Sequence, residues 1–346
     1  MHAVVFHGPG QKHWEEVPDP KIVDDSDAIV RITSTTICGT DLHILKGDVP
    51  AMTPGRILGH EAVGTVTEIG PGVRSVKQGD HVLLSCISAC GRCRFCRERR
   101  YGLCIGGGGW IFGHKIDGVQ ADFARVPFAD TSTYQVPEGL TDEQVLYLAD
   151  ILPTGYEVGV LNGQVQPGDT VAIIGAGPVG LAAILGARLY SPAAIMAIDP
   201  TPARRDWAEQ FGANVVTTPE QARAETDRLT NGLGADVAVE AVGITETFEQ
   251  CTELIRPGGR VANVGVHGKP ATLHLESLWI KGVTITTGLV DTFSTPTLLK
   301  SVAAGQIDPT RFTTHRFPLQ EALEAYDTFA RPGETNALKV MLTTES

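Results

Sequence analysis

The run Gly175-Ala176-Gly177-Pro178-Val179-Gly180, directly behind the apolar stretch 171–174, constrains this chain more than any other segment. It fits G-x-G-x-x-G at the junction of a strand and a helix. Gly175 permits the tight turn, Gly177 lets a pyrophosphate approach the backbone, and Gly180 lets the helix lie close on the strand. Pro178 suits the first helical turn, where its missing N–H costs little. With Val179 it opens a helix whose free N–H groups and positive potential face a phosphate. The plainer alternative is a glycine-rich turn in any doubly wound fold. The surrounding rhythm favours the nucleotide reading. Strands are expected at 171–174, 194–198, 237–240, 260–264 and 283–287, with helices at 178–189 and 202–211. Such alternation implies a parallel sheet with helical crossovers.

Asp199 stands at the end of the strand after the glycine turn. A carboxylate there accepts hydrogen bonds from the adenosine ribose and repels a 2′-phosphate, which favours NAD over NADP. Arg204 and Arg205 follow closely; either is able to bind a phosphate or to cover the adenine face. The strand ends carrying Val242, Val264 and Val266 should approach the nicotinamide ribose and ring, because ligands lie at the carboxyl ends of parallel strands.

The 346 residues suggest about two domains. Acidic residues outnumber basic ones by 40 to 28, for a net charge of −12. That surface disfavours nucleic-acid backbones and anionic membranes alike. The apolar stretch 171–187 is broken by glycines and is too short to span a bilayer. The first ten residues lack a basic stretch followed by an apolar one, so no secretory signal is expected and the cytoplasm is the default location.

The first third reads as β-rich, with strands at 28–32, 63–69 and 81–85. Residues 86–118 have little periodicity and need some other source of order. Cys90, Cys93, Cys96 and Cys104 supply it. Four thiolates at this spacing close a tetrahedron around zinc and leave no position for water, so such a site orders a lobe. An iron–sulfur cluster is the alternative. The interleaved Arg92, Arg94, Arg97, Arg99 and Arg100 would offset the negative charge of four thiolates. A second constellation is dispersed: Cys38-Gly39-Thr40-Asp41-Leu42-His43, Gly59-His60-Glu61 and Asp150. Taken singly, each has an ordinary reading: a small buried hydrophobe, a hydrogen-bonded histidine, a helix cap.

Taken together, these motifs resemble the zinc-dependent medium-chain dehydrogenase/reductase family, the alcohol dehydrogenases, over essentially the whole chain. The carriers are Cys38-Gly39-Thr40-Asp41, Gly59-His60-Glu61-Ala62-Val63-Gly64, the four-cysteine lobe and Gly175–Gly180. Tyr147-Leu148-Ala149-Asp150 with Thr154-Gly155, and Gly109-Trp110-x-Phe112, are similar to the bacterial secondary-alcohol branch. The chain departs from much of that branch in keeping four cysteines and in carrying Asp199. The resemblance implies a β-rich GroES-like catalytic domain at 1–152, completed by 288–346, with a Rossmann cofactor domain inserted at 153–287. It implies two zinc ions per chain. Cys38, His60 and Asp150 would hold the catalytic one, Glu61 would bind or approach it during the cycle, and the lobe would hold the other.

In such enzymes zinc acidifies an alcohol or polarises a carbonyl, and hydride moves to or from the nicotinamide. The resemblance also assigns Thr40 and His43 to a proton relay, against the alternative of a polar helix start. Trp110 would line the substrate pocket, against ordinary aromatic packing. The expected substrates are secondary or primary alcohols and their carbonyl partners, with polyol, threonine or formaldehyde chemistry as alternatives within the family. The family is usually oligomeric, as tetramers or dimers. A non-catalytic nucleotide-binding protein would show a damaged zinc set, yet Cys38, His60, Glu61 and Asp150 are all present.

Overall fold

The computed structural model describes residues 1–344. The chain divides into two compact units, 1–150 with 291–346, and 151–290.

The first unit opens with a hairpin, β1 (His2–Gly8) and β2 (Gln11–Glu16), in a three-stranded sheet. The long strand β3 (Ala28–Thr36) then runs into helix α1 (Gly39–Lys46), with Cys38 at the helix N-cap. β3 lies inside a seven-stranded sheet, between Ala62–Ile69 and Lys339–Thr343. Both neighbours pair antiparallel with it. Their register decides where the chemistry falls. Thr35 lies opposite Ala62, and Thr36 opposite Met341. Cys38, His60 and Glu61, just off these strand ends, and Lys339, the first residue of its strand, are thereby delivered to one end of the sheet. The Thr35 hydroxyl donates to the Glu61 carbonyl at 2.7 Å, and that of Thr36 to the Val340 carbonyl at 2.6 Å. Two apolar clusters, one around Val30, Ile32, Leu84 and Phe112 and one around Ile37, Leu58, Tyr326 and Val340, hold this unit together.

Residues 86–118 contain a two-stranded ribbon, Ile87–Ser88 with Gly109–Trp110, and a single helical turn, Arg94–Arg97. Regular hydrogen bonding is too sparse there to order the lobe alone.

The second unit is a six-stranded parallel sheet. Its spatial order is Val215–Thr217, Ala194–Ile198, Thr170–Ile174, Ala235–Glu240, Ile255–Asn263 and Thr284–Thr287. Every neighbouring pair is parallel. The order reverses beside the first strand, which is the doubly wound arrangement. Thr170–Ile174 and Ala194–Ile198 are buried along their whole length, as strands covered on both faces must be. The strand expected at 260–264 begins earlier, at Ile255, and is irregular where it joins its neighbour. The glycine pair Gly258-Gly259 hides that start from a propensity reading. Together the units form a β-rich GroES-like domain and a Rossmann domain.

Candidate metal centres and nucleotide site

Cys38, His60, Glu61 and Asp150 converge. One ligand atom from each lies within 4.8 Å of the others. Cys38 Sγ is 3.8 Å from Asp150 Oδ2, and His60 Nε2 is 3.3 Å from the same oxygen. His60 Nδ1 turns the other way and lies 3.4 Å from Asp41 Oδ1. Asp41 is fully buried, and its other oxygen accepts the Cys38 N–H at 2.9 Å. One carboxylate therefore binds the Cys38 N–H and lies within ion-pair distance of the His60 ring, a placement that favours an imidazole with Nε2 forward. Gln120 braces it, donating to Asp41 Oδ2 at 3.4 Å while accepting the Tyr326 hydroxyl at 2.7 Å.

Electrostatics show what the cluster lacks. Burial pushes the Cys38 thiol up. Burial also pushes the His60 imidazole down, but Asp41 and Asp150 outweigh it and hold its pKa well above the ordinary value. Glu61 is fully buried with Oε2 unpartnered. Burial raises its pKa despite the neighbouring ammonium of Lys339. A thiol, two carboxylates and an imidazole packed this closely exceed what the single Lys339 ammonium satisfies, since Glu61 Oε2 still lacks a partner. Cys38, His60 and Asp150 each offer a divalent ion one lone pair, so this three-donor set fits zinc with a fourth position left for substrate.

Lys339 is a residue that motif reading missed. Its ammonium is buried, donating to Glu61 Oε1 at 2.7 Å and to the Ile37 carbonyl at 2.9 Å. The signal was one charge inside the apolar final strand, Ala337-Leu338-Lys339-Val340-Met341-Leu342. Asp41, quoted in the motif without a role, is another.

Thr40 Oγ1 lies 3.8 Å from Cys38 Sγ. His43 is on the exposed side of α1, with Nδ1 2.8 Å from Asp48. Trp110 is half-buried. It stacks on His114 at 3.9 Å between centroids, and its edge faces His60 at 6.5 Å. Burial drives the His114 imidazole down to about 4, so it stays neutral at physiological pH.

The four lobe cysteines also gather within 4.8 Å. Cys93 Sγ is 3.4 Å from Cys96 Sγ, and Cys90 Sγ 3.9 Å from it. None of the seven cysteines is in a disulfide. A Cβ at Gly106 would press into Cys90 Sγ. Backbone N–H groups of Cys96 and Ile105 draw the Cys93 thiol down to about 6, which favours the thiolate a metal needs. Four sulfurs with no oxygen or nitrogen competitor fit a closed zinc site.

In the parallel-sheet unit the glycine turn has the expected steric logic. Gly175 has φ +96°, and a Cβ there would meet Val242. A Cβ on Gly180 would overlap the Gly175 carbonyl oxygen, whereas Gly177 faces open space. The helix Pro178–Arg188 starts with Gly177 at its N-cap. Val179 lies half-buried in its first turn. Asp199 accepts the Ala176 N–H at 2.9 Å and the Thr201 N–H at 2.9 Å, so its carboxylate is keyed to the glycine turn. The Arg205 guanidinium donates to the Asp199 carbonyl at 2.7 Å. Arg204 is part-buried beside Asp199, and burial lowers its pKa. Val242 and Val266 are exposed and Val264 is half-buried, all just beyond their strands. Glu240 ties this region together, accepting the Val242 and Gly243 N–H groups at 2.9 and 2.8 Å.

Comparison with known proteins agrees with this geometry. Residues 24–138 match the family described as "Alcohol dehydrogenase GroES-like domain", and 178–303 the one described as "Zinc-binding dehydrogenase". An alcohol dehydrogenase of Cupriavidus necator is 35% identical, over 95% of this chain and 95% of its own. The structure of "Zinc dependent alcohol dehydrogenase 2" from Streptococcus pneumonia superimposes with a TM-score of 0.95 at 48% identity, over 100% of this chain and 99% of its own. An alcohol dehydrogenase from Thermus sp. ATN1 gives 0.93 at 38% identity, over 100% of both chains. The chain belongs to the zinc-dependent medium-chain dehydrogenase/reductase family, among the zinc-type alcohol dehydrogenases.

Proposed function

We propose that the protein is an NAD-preferring alcohol dehydrogenase and carbonyl reductase acting on secondary, and secondarily primary, alcohols. The observation that carries the reading is the meeting of Cys38, His60, Glu61 and Asp150 within 4.8 Å. Cys38, His60 and Asp150 would hold the catalytic zinc, and Cys90, Cys93, Cys96 and Cys104 a structural one. When bound, zinc supplies a Lewis acid for the substrate oxygen and the nicotinamide supplies the hydride acceptor.

The chain's own residues do the rest. Asp41 holds His60 with Nε2 forward. Glu61 keeps one oxygen on Lys339, and its other, unpartnered oxygen would be available to a metal held by Cys38, His60 and Asp150. Thr40 would accept the proton lost by the substrate hydroxyl while passing its own to the cofactor ribose, and His43, which is exposed, would pass that proton on to solvent. Trp110 supplies an apolar wall beside His60. Gly175, Gly177, Pro178, Val179 and Gly180 receive the pyrophosphate, and Asp199 the adenosine ribose. Arg204 would lie by the adenine, and Val242, Val264 and Val266 would offer backbone to the nicotinamide half. A cytoplasmic homo-oligomer, tetramer or dimer, goes with this reading, and sedimentation velocity checks the assembly.

A steady-state panel of secondary and primary alcohols, threonine, sorbitol and formaldehyde, run with both cofactors on zinc-loaded protein, tests it. The highest kcat/KM is expected for a secondary alcohol with NAD. Turnover confined to threonine, sorbitol or formaldehyde moves the substrate elsewhere in the family, and no turnover at all contradicts the reading. Asp199→Gly should lower the NAD-to-NADP preference about tenfold or more, the weight of one or two charge-assisted hydrogen bonds. An unchanged ratio would assign cofactor selection to the neighbouring arginines.

A further inference from the structure

The hairpin of β1 and β2 carries a polar cluster built from none of the residues assigned above. Val5 lies opposite His13, and Ala3 opposite Glu15. His13 and Glu15 are two apart on β2 and share a face of the sheet. The pairing register breaks between Phe6 and Gly8, and His7 sits in the break. A bulge of this kind re-aims a side chain. His7 Nε2 lies 3.1 Å from both carboxylate oxygens of Glu15. His13 Nδ1 lies 3.9 Å from Glu15 Oε2, and the two imidazole rings are 4.7 Å apart between centroids. One ligand atom from each of the three residues falls within 4.8 Å of the others.

An ion pair alone is a poor account of this geometry. A histidine–glutamate pair uses one imidazole, and a second one beside it adds charge repulsion whenever both are protonated. A shared cation instead takes a lone pair from each neutral ring and one from the carboxylate. Ligands of a tetrahedral ion with bonds of about 2.0–2.2 Å stand about 3.4 Å apart. Rotamer adjustment of partly exposed side chains closes that gap without moving the backbone. The backbone is already held: the Gly10 N–H in the hairpin turn donates to the Leu45 carbonyl at 2.7 Å. Lys12, the nearest ammonium in sequence, is drawn to Asp327 at 3.4 Å.

We infer that His7, His13 and Glu15 form a surface site for a borderline divalent transition-metal ion of the zinc, nickel or copper class. Two imidazoles and one carboxylate select such ions over magnesium or calcium. The remaining coordination positions face solvent, so the site binds reversibly.

The test is equilibrium dialysis of zinc-loaded, untagged, full-length protein against Ni2+, with nickel and zinc both quantified. One Ni2+ per chain should bind while the zinc content stays constant. His13→Ala and His7→Ala should each weaken nickel binding at least tenfold. Glu15→Gln, which keeps the side-chain shape, should weaken it less. His274→Ala removes another exposed histidine beside a carboxylate, Glu276 at 2.9 Å, and should change nothing. Thermal melts of the nickel-free variants should match the parent. Nickel that binds only by displacing zinc, nickel retained by the His7 and His13 variants, or nickel lost in His274→Ala would each overturn the assignment.

Discussion

The four-cysteine lobe and the Cys38 cluster are both suited to a metal, and they are built in opposite ways. The lobe draws all its donors from one stretch of chain, 90–104, with almost no regular structure to support it. The other draws on residues more than a hundred positions apart, and the surrounding sheet holds them in place. The lobe is closed, chemically uniform and self-contained. The Cys38 cluster has mixed donors, an unpartnered Glu61 oxygen and a buried ammonium behind it. A site that only orders a loop can be local. A site that must leave a coordination position open has to be braced from outside.

The sharpest way to break that contrast is to remove one sulfur from each. Cys38→Ser should lower kcat about 10³-fold or more, the scale of losing a principal electrostatic stabiliser, while NAD binding followed by fluorescence stays within twofold. Cys93→Ser should instead leave kcat per folded molecule nearly intact, remove one zinc by metal analysis and lower the melting midpoint. Equal effects of the two substitutions on kcat would erase the distinction.

Lys339→Met tests the bracing next. It strands the Glu61 carboxylate in the interior, and breaking a buried pair costs about 3–5 kcal/mol. The denaturant midpoint should fall accordingly, and Lys339→Arg should recover part of the loss. A midpoint unchanged in Lys339→Met would mean that Glu61 is content without its partner.

Asp41→Ala should weaken zinc at the catalytic site about 10–100-fold, as loss of an orienting partner does, with the lobe zinc retained. Competition with a chromophoric chelator separates the two.

The smallest expected effect concerns the strand that delivers Cys38. Asp142 accepts the hydroxyls of Thr33 and Ser34 on β3 and lies 2.9 Å from His81. Burial pushes its carboxyl up, but His81, Thr33 and Ser34 more than reverse that and leave its pKa below the ordinary value. A depressed carboxyl contributes stability above its unfolded pKa and loses it as pH falls through the folded one. Asp142→Asn should therefore cost about 1–2 kcal/mol at pH 7 and progressively less below about pH 4. A cost independent of pH would remove the charge from the explanation.

How legible these features were depended on how they are encoded. The glycine turn and the lobe are local patterns, so both could be read along the chain. The Cys38 cluster was legible only through family resemblance, because no periodicity links Cys38 to Asp150. Lys339 was missed for the same reason: its partner Glu61 is far away in sequence, and a lone lysine near a chain end reads as surface. Ile255 escaped as a strand start because Pro257, Gly258 and Gly259 imitate a turn. His7 escaped because its role depends on a register break that no strand propensity reveals.

Anomalous diffraction at the zinc absorption edge, from crystals of the zinc-loaded protein, tests the central claim most directly. The expected map holds two peaks per chain, one among the lobe sulfurs and one bridging Cys38 Sγ, His60 Nε2 and Asp150. A lobe peak alone, with those three side chains lying apart at full zinc occupancy, would contradict it.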